Sequence, residues 1–202
     1  DVVEEEATED IKKMAAITPI DKPYDKTGVF ETFFARIPWL VVLMISATFT
    51  GAIITSFEDK VAACTALTAF IPMLMNTGGN AGGQSSVSII RALSLNQIEM
   101  KDIFKVMFKE FRISILCAIV LGICNFIKML LFDRVSMLIA ASVCITLCVT
   151  VVLAKLIGCV LPIFAKKLGF DPAVMASPFI TTIVDACSLL IYFEIATLII
   201  GL

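Results

Sequence analysis

The chain has 202 residues, 59% hydrophobic and 17% charged, with a mean hydropathy of +0.97. Soluble domains carry about 25% charged residues, so a soluble enzyme, a secreted disulfide scaffold and a nucleic-acid binder are all disfavoured. The net charge of −2 hides an uneven spread: nine of the eighteen acids lie in the first 31 residues. The remainder is apolar and long enough for five or six membrane crossings of about 20 residues each.

Three absences narrow the chemistry. Without histidine, Ser-His-Asp hydrolysis, histidine-ligated zinc and the usual near-neutral proton carrier are ruled out. No GxxxxGK[ST] phosphate loop is present, so no nucleotide-driven motor is expected on this chain. The seven cysteines form no CxxC pair and sit in apolar runs, as free thiols acting as small hydrophobes do. The first residue is Asp1 and the first ten residues are acidic, so a signal peptide is not expected and a longer parent protein is.

In chain order, the acidic head offers Thr8 as a cap before Glu9-Asp10 and a short apolar set at Ile11, Met14, Ala15 and Ile17. A short helix and a Pro/Asp/Lys-rich linker over 18–27 are expected there. The first apolar run spans 37–57. The second spans 61–90, interrupted by Pro72 and by a glycine-rich stretch over 78–83. Residues 97–110 place Ile98, Ile103, Phe104, Val106, Met107 and Phe108 among charges, the pattern of an amphipathic interfacial helix. Third, fourth and fifth runs follow at 113–132, 135–165 and 173–202. An all-α membrane protein with five transmembrane helices is therefore expected. With the N-terminus inside, twelve of the sixteen basic residues fall on the cytoplasmic side, and the C-terminus lies outside.

The remaining polarity is where transport chemistry is expected, because an ionisable group left facing lipid costs several kcal/mol (about 3 on insertion scales). Asp185 lies twelve residues past Ala173, which would place it about 18 Å along the fifth helix, near the midplane. Pro178, Thr181, Ser188 and Tyr192 share its face at helical spacing. Pro178 would free a carbonyl near residue 174, and oxygen ligands in a row suit a hard cation such as Mg²⁺, Ca²⁺ or Na⁺. The plainer reading of Asp185 is a helix-to-helix hydrogen bond. Glu194 falls near the opposite face and Lys155 lies within the fourth run. The second feature is the segment over 72–86, with Asn76, Gly78, Gly79, Asn80, Gly82, Gly83 and Gln84. Glycines there permit close helix packing, and the amides can serve hydrated ions; the two roles are compatible.

PMLMNTGGNAGGQSSVSIIRAL (72–93) and LGFDPAVMASPFITTIVDACSLLIYF (168–193), in this order and separation, resemble the transmembrane domain of the MgtE magnesium channels and transporters. EEEATEDI (4–11) resembles that family's passage from its CBS domain into a connecting "plug" helix, and RIPWL (36–40) its first membrane helix. The resemblance covers essentially the whole chain. It implies a homodimer of five-helix subunits in the cell membrane, with hydrated Mg²⁺ passing between the second and fifth helices at the dimer interface. It implies a central metal site at Asp185, with the Thr181 backbone carbonyl beside it, and regulatory Mg²⁺ near Glu9 and Asp10. The pore lining would draw on Ser177, Pro178, Thr182 and Ser188, with Asn76, Gly78, Gly79, Asn80, Gly82 and Gln84. Residues 1–34 would be the cytoplasmic junction and 35–202 the pore domain, with N-terminal and CBS sensor domains upstream. Magnesium is the implied ion, lipid and divalent cations the implied partners, and no enzyme activity is implied. An ion-coupled secondary transporter of a small solute is the alternative, and a non-conducting membrane scaffold a third reading.

Overall fold

The structure is a computed structural model that describes residues 2–175 and 177–201. Among these residues there is no strand. Seven α-helices follow in order: α1 (Val2–Met14), α2 (Val29–Ser56), α3 (Glu58–Ala63), α4 (Ile71–Ser94), α5 (Ile103–Lys128), α6 (Met137–Lys167) and α7 (Ser177–Ile200). Short 3₁₀ segments join them at Tyr24–Lys26, Thr65–Phe70, Met100–Asp102 and Pro172–Met175, and a π turn over Met129–Asp133 ends at left-handed Arg134.

Four helical stretches are long and apolar enough to cross a membrane: Val29–Ser56, Met100–Asp133, Met137–Lys167 and Pro178–Ile200. α4 has 24 residues and a length of about 36 Å, enough to span, but its Asn, Gln, Ser and Gly residues dilute its hydropathy and it is not among the four. Apolar side chains stand exposed along the outside, including Leu40, Met44 and Phe49 on α2 and Leu116, Val120 and Ile123 on α5. Water would penalise that surface and a bilayer does not.

α6 is the central helix, packed by α4, α5 and α7. Its Val143, Leu147, Val151 and Ala154 are buried against Leu74 of α4 and Ile180, Val184 and Leu189 of α7. α2 packs on α7 at the edge of this group and buries only Ala35 and Thr50.

Several boundaries differ from the sequence expectation. α1 begins well before Thr8, so Thr8 lies inside the helix rather than capping it. α2 begins at Val29, ahead of the apolar run, and carries Pro38 inside it. The second run resolves into α3, a 3₁₀ turn and α4. Pro72 opens α4 instead of breaking it, because the missing N–H is unneeded in a first turn, and the glycines continue the helix unbroken. The segment 97–110 does not form a helix of its own: Ile98 precedes a 3₁₀ turn, and Ile103, Phe104, Val106, Met107 and Phe108 belong to the start of α5, which runs straight into the third apolar run. α7 begins at Ser177, so Asp185 lies only about 12 Å along it, nearer its start than counting from Ala173 implied.

Candidate functional site along α4 and α7

α4 has two faces of different chemistry. Gly78, Gly79 and Gly82 are buried where α4 meets α6 and α7. A Cβ on Gly79 would come within 2.8 Å of Thr181 Cγ2, one on Gly78 within 2.7 Å of Thr150 Cγ2, and one on Gly82 within 2.8 Å of Ile180 Cγ2. These glycines bring α4 close to its neighbours and are not surface groups of the protomer. Asn76, Asn80 and Gln84 recur every four residues on the other side and are exposed. The Asn80 amide donates to Asn76 Oδ1 at 3.3 Å, which links the first two of the row along the helix.

α7 runs antiparallel to α4, since Ile180 lies at Gly82 while Ser188 lies at Gly78. Thr181 stands at Gly79, and Asp185, one turn farther on the same side of α7, is half-buried. Pro178 sits in the first turn, where its ring fits the helix start, so no mid-helix carbonyl is freed near residue 174. Its carbonyl instead accepts from Thr181 Oγ1 at 2.8 Å and Thr182 Oγ1 at 3.1 Å. The hydroxyl stripe anticipated along this face divides in two. Ser188 is buried against Gly78 and donates to the Val184 carbonyl at 2.6 Å. Tyr192 is fully buried, its hydroxyl donating to the Leu67 carbonyl at 2.9 Å. Thr182 opens away from α4 into a groove of about 290 Å³ between α2 and α7, with Ser46, Phe49 and Phe179. Ser177 opens α7, and its side chain lies outside the described residues. Glu194 is exposed farther along α7.

A second polar region lies at the opposite end of α4. Glu9 and Asp10 of α1 line a cleft of about 370 Å³ with Lys13, Ser94, Asn96, Lys166 and Asp171. Lys13 donates to Asp171 Oδ2 at 2.6 Å and pairs with Glu9 Oε1 at 2.5 Å, fastening α1 to the segment before α7. The two carboxylates raise the Lys13 ammonium above its ordinary 10.5, Asp171 contributing most. Lys166 donates to the Leu93 carbonyl at 3.0 Å, satisfying the last turn of α4.

The family model for MgtE, described as a divalent cation transporter, matches residues 71–195. The chain belongs to the MgtE family. It is 36% identical over 198 residues to the magnesium transporter MgtE of Thermus thermophilus and 38% identical over 197 residues to that of Bacillus subtilis, covering 98% of this chain in both cases. The corresponding protein of Enterococcus faecalis is 29% identical over 198 residues. The chain spans less than half the length of these curated relatives, 44% of the first and 43% of the others. Family and fold together make this a multi-pass membrane protein of a cation-transporter family.

In this MgtE-family domain, no three Asp, Glu or Cys side chains converge into a metal-binding group among the described residues. Asp185 is the carboxylate that α7 holds beside its contact with α4. Two features escaped the sequence reading. Gly158 of α6 lies against the backbone of Gly82, and a single glycine in an apolar run carries no signal of a crossing. Glu110 and Lys155 are both buried; they are 45 positions apart in the sequence, and nothing in the spacing pairs them.

Proposed function

We propose that this chain is the membrane domain of a magnesium channel or transporter, passing hydrated Mg²⁺ down its electrochemical gradient between two copies of the chain. The observation that carries this reading is the exposed amide row Asn76, Asn80 and Gln84 on a helix flanked by lipid-compatible surfaces, with Asp185 beside it. Amides facing hydrocarbon are costly, so this face calls for water and a second subunit. One carboxylate neutralises half of a divalent charge. Two related by a two-fold axis neutralise it all, and Mg²⁺, which sheds water reluctantly, is suited by few carboxylates and many waters. The relatives named magnesium transporters support the choice of ion.

In this reading α4 also crosses the membrane, as the second of five crossings in chain order, the N-terminus is cytoplasmic and the C-terminus is outside. Residues 1–34 form a cytoplasmic junction and 35–202 the pore domain, with sensor domains upstream; that the relatives are more than twice as long as this chain is compatible with further domains. Thr181 offers its backbone carbonyl near Asp185, with Ser177, Pro178 and Thr182 at the entry of α7. Ser188 and the glycines hold the pore helices together from behind. A regulatory divalent ion binds at Glu9 and Asp10, in the cleft that Lys13 shares.

The test is Mg²⁺ uptake into liposomes holding the purified chain, driven by a potential with no Na⁺ or H⁺ gradient. Asp185→Asn is expected to lower uptake by about ten-fold or more, as loss of a pore carboxylate does. Uptake equal to that of the parent would overturn the reading. Uptake that requires a Na⁺ or H⁺ gradient would replace the channel with a coupled transporter.

A further inference from the structure

Lys155 of α6 and Glu110 of α5 are opposite charges 5% and 8% exposed, within a group of helices packed mainly through apolar and small side chains. They make no direct ion pair. Ser85 of α4, 2% exposed, stands between them: its hydroxyl donates to Glu110 Oε2 at 2.6 Å and accepts from Lys155 Nζ at 3.5 Å. A hydroxyl is suited to this place because it donates once and accepts as well. Three helices therefore meet at one polar contact, and either charge without the other would be left uncompensated in a low-dielectric interior.

The rest of the α4 interface explains why such a contact matters. Gly78, Gly79 and Gly82 bring α4 close to α6 and α7, and Leu74, Ile89 and Leu93 add buried apolar contacts; apolar burial is non-directional, and the Ser85 contact adds a direction to it. Successive residues on a helix are about 100° apart. Fixing Ser85 toward Glu110 and Lys155 therefore fixes where its neighbour Gln84, and with it Asn80 and Asn76, must face. Buried polar groups that select one register among several packings are the best-attested use of such contacts.

We propose that the Glu110–Ser85–Lys155 bridge is the positioning element that sets the rotation of α4, and thereby aims the amide row of Asn76, Asn80 and Gln84 at the ion path. This inference rests on the pore reading above. The three residues do not touch the ion; they act through α4. Removing one charge strands the other and costs stability. Removing both relieves that cost and still leaves α4 without its rotational anchor.

The experiment uses the purified chain in liposomes, reading Mg²⁺ uptake, the ratio of Mg²⁺ to Ca²⁺ uptake, and the thermal unfolding midpoint. The variants are Glu110→Gln, Lys155→Met, the two combined, and Ser85→Ala, with Asp185→Asn alongside. Each single charge removal is expected to lower the midpoint, and the combination to recover most of the loss, because no unpaired charge remains. The combination and Ser85→Ala are both expected to keep a Mg²⁺/Ca²⁺ ratio shifted by about three-fold or more, since the amides of Asn76, Asn80 and Gln84 have turned. A pair with a merely structural role would restore the ratio along with the midpoint. Parental ratios in both the combination and Ser85→Ala, with Asp185→Asn inactive, would overturn this inference alone. Parental uptake in Asp185→Asn would overturn the pore reading and this inference with it. Where the combination yields no folded protein, the ratio in Ser85→Ala, which keeps both charges, decides the matter in the same way.

Discussion

Gly82 of α4 and Gly158 of α6 meet backbone to backbone: a Cβ on Gly158 would run into the Gly82 carbonyl oxygen. At Gly79 the nearest obstacle is instead the Thr181 methyl, 2.8 Å from where the Cβ of an alanine would stand. The difference in obstacle predicts a difference in cost. A carbonyl held in a helix cannot turn aside, whereas a side chain at a helix surface can yield slightly.

Gly158→Ala is accordingly expected to lose about 2–3 kcal/mol through forced separation of α4 and α6, partly offset by the better helix propensity of alanine. Gly79→Ala is expected to cost about 1 kcal/mol, because Thr181 must give way while branched at Cβ and hydrogen-bonded to Pro178. Thermal unfolding in detergent ranks the two. Equal midpoints would show that α4 and α6 separate as readily as a side chain moves.

Asn80→Ala separates packing from conduction. Asn80 is exposed in the protomer, and its side chain bonds Asn76 at 3.3 Å along the same helix. Substitution at such a surface changes stability by about 0.5 kcal/mol or less. Mg²⁺ uptake is expected to fall several-fold while the unfolding midpoint stays with that of the parent. A midpoint that falls in step with uptake would place Asn80 in the packing instead.

The site and the fold were legible to different degrees for physical reasons. Four of the apolar runs marked helices long and apolar enough to cross a membrane, because a bilayer demands long stretches of hydrophobic side chains. Their ends were less visible: glycine and proline read as breaks in α4, yet packing against α6 and α7 favours a continuous helix, and Pro72 falls where a proline is harmless. Asp185 and the amide row stood out because polarity is scarce in an apolar chain. The periodicity that grouped Thr181, Asp185, Ser188 and Tyr192 was correct as geometry. It could not tell which of them stay half-buried, as Asp185 does, and which are buried against a neighbouring helix, as Ser188 is at Gly78. Lys155 had no readable role because its partner lies on another helix, reached only through Ser85.

Lys13 predicts a pH and charge dependence at the other end of the molecule. Its ammonium is raised above 10.5 by Asp171 and Glu9, so the docking contribution of this contact is fully present below 10.5 and is lost only as pH rises past the raised value. Attachment of α1 is thus expected to be insensitive to lysine titration near neutrality and to loosen in strong alkali. Proteolysis of the linker over 18–27 across this range measures it. Unchanged cleavage through the alkaline transition would show that other contacts hold α1.

Lys13→Gln tests competition in the same cleft. The lysine neutralises Glu9 and Asp171, which a divalent cation would otherwise share. Without it, α1 is expected to be more easily cleaved in the absence of divalent ions and more strongly protected when Mg²⁺ is added. Protection by Mg²⁺ that matches the parent would count against a divalent-ion site at these carboxylates.

Tyr192→Phe asks what the far half of the α7 stripe does. The Tyr192 hydroxyl donates to the Leu67 carbonyl at 2.9 Å and anchors α7 to the 3₁₀ turn that leads into α4. The ring lies tilted against Phe193 at 5.6 Å, and Phe193 stacks in turn on Phe57, so phenylalanine preserves the packing. What is lost is one hydrogen bond in an apolar setting, with a cost of about 1–3 kcal/mol if the carbonyl finds no other donor. The midpoint is expected to fall accordingly. Mg²⁺/Ca²⁺ discrimination is expected to stay with the parent, because Tyr192 holds the entry to α4 and does not set its rotation. A shifted ratio in Tyr192→Phe would mean that the start of α4, and not only Ser85, determines where the amides face.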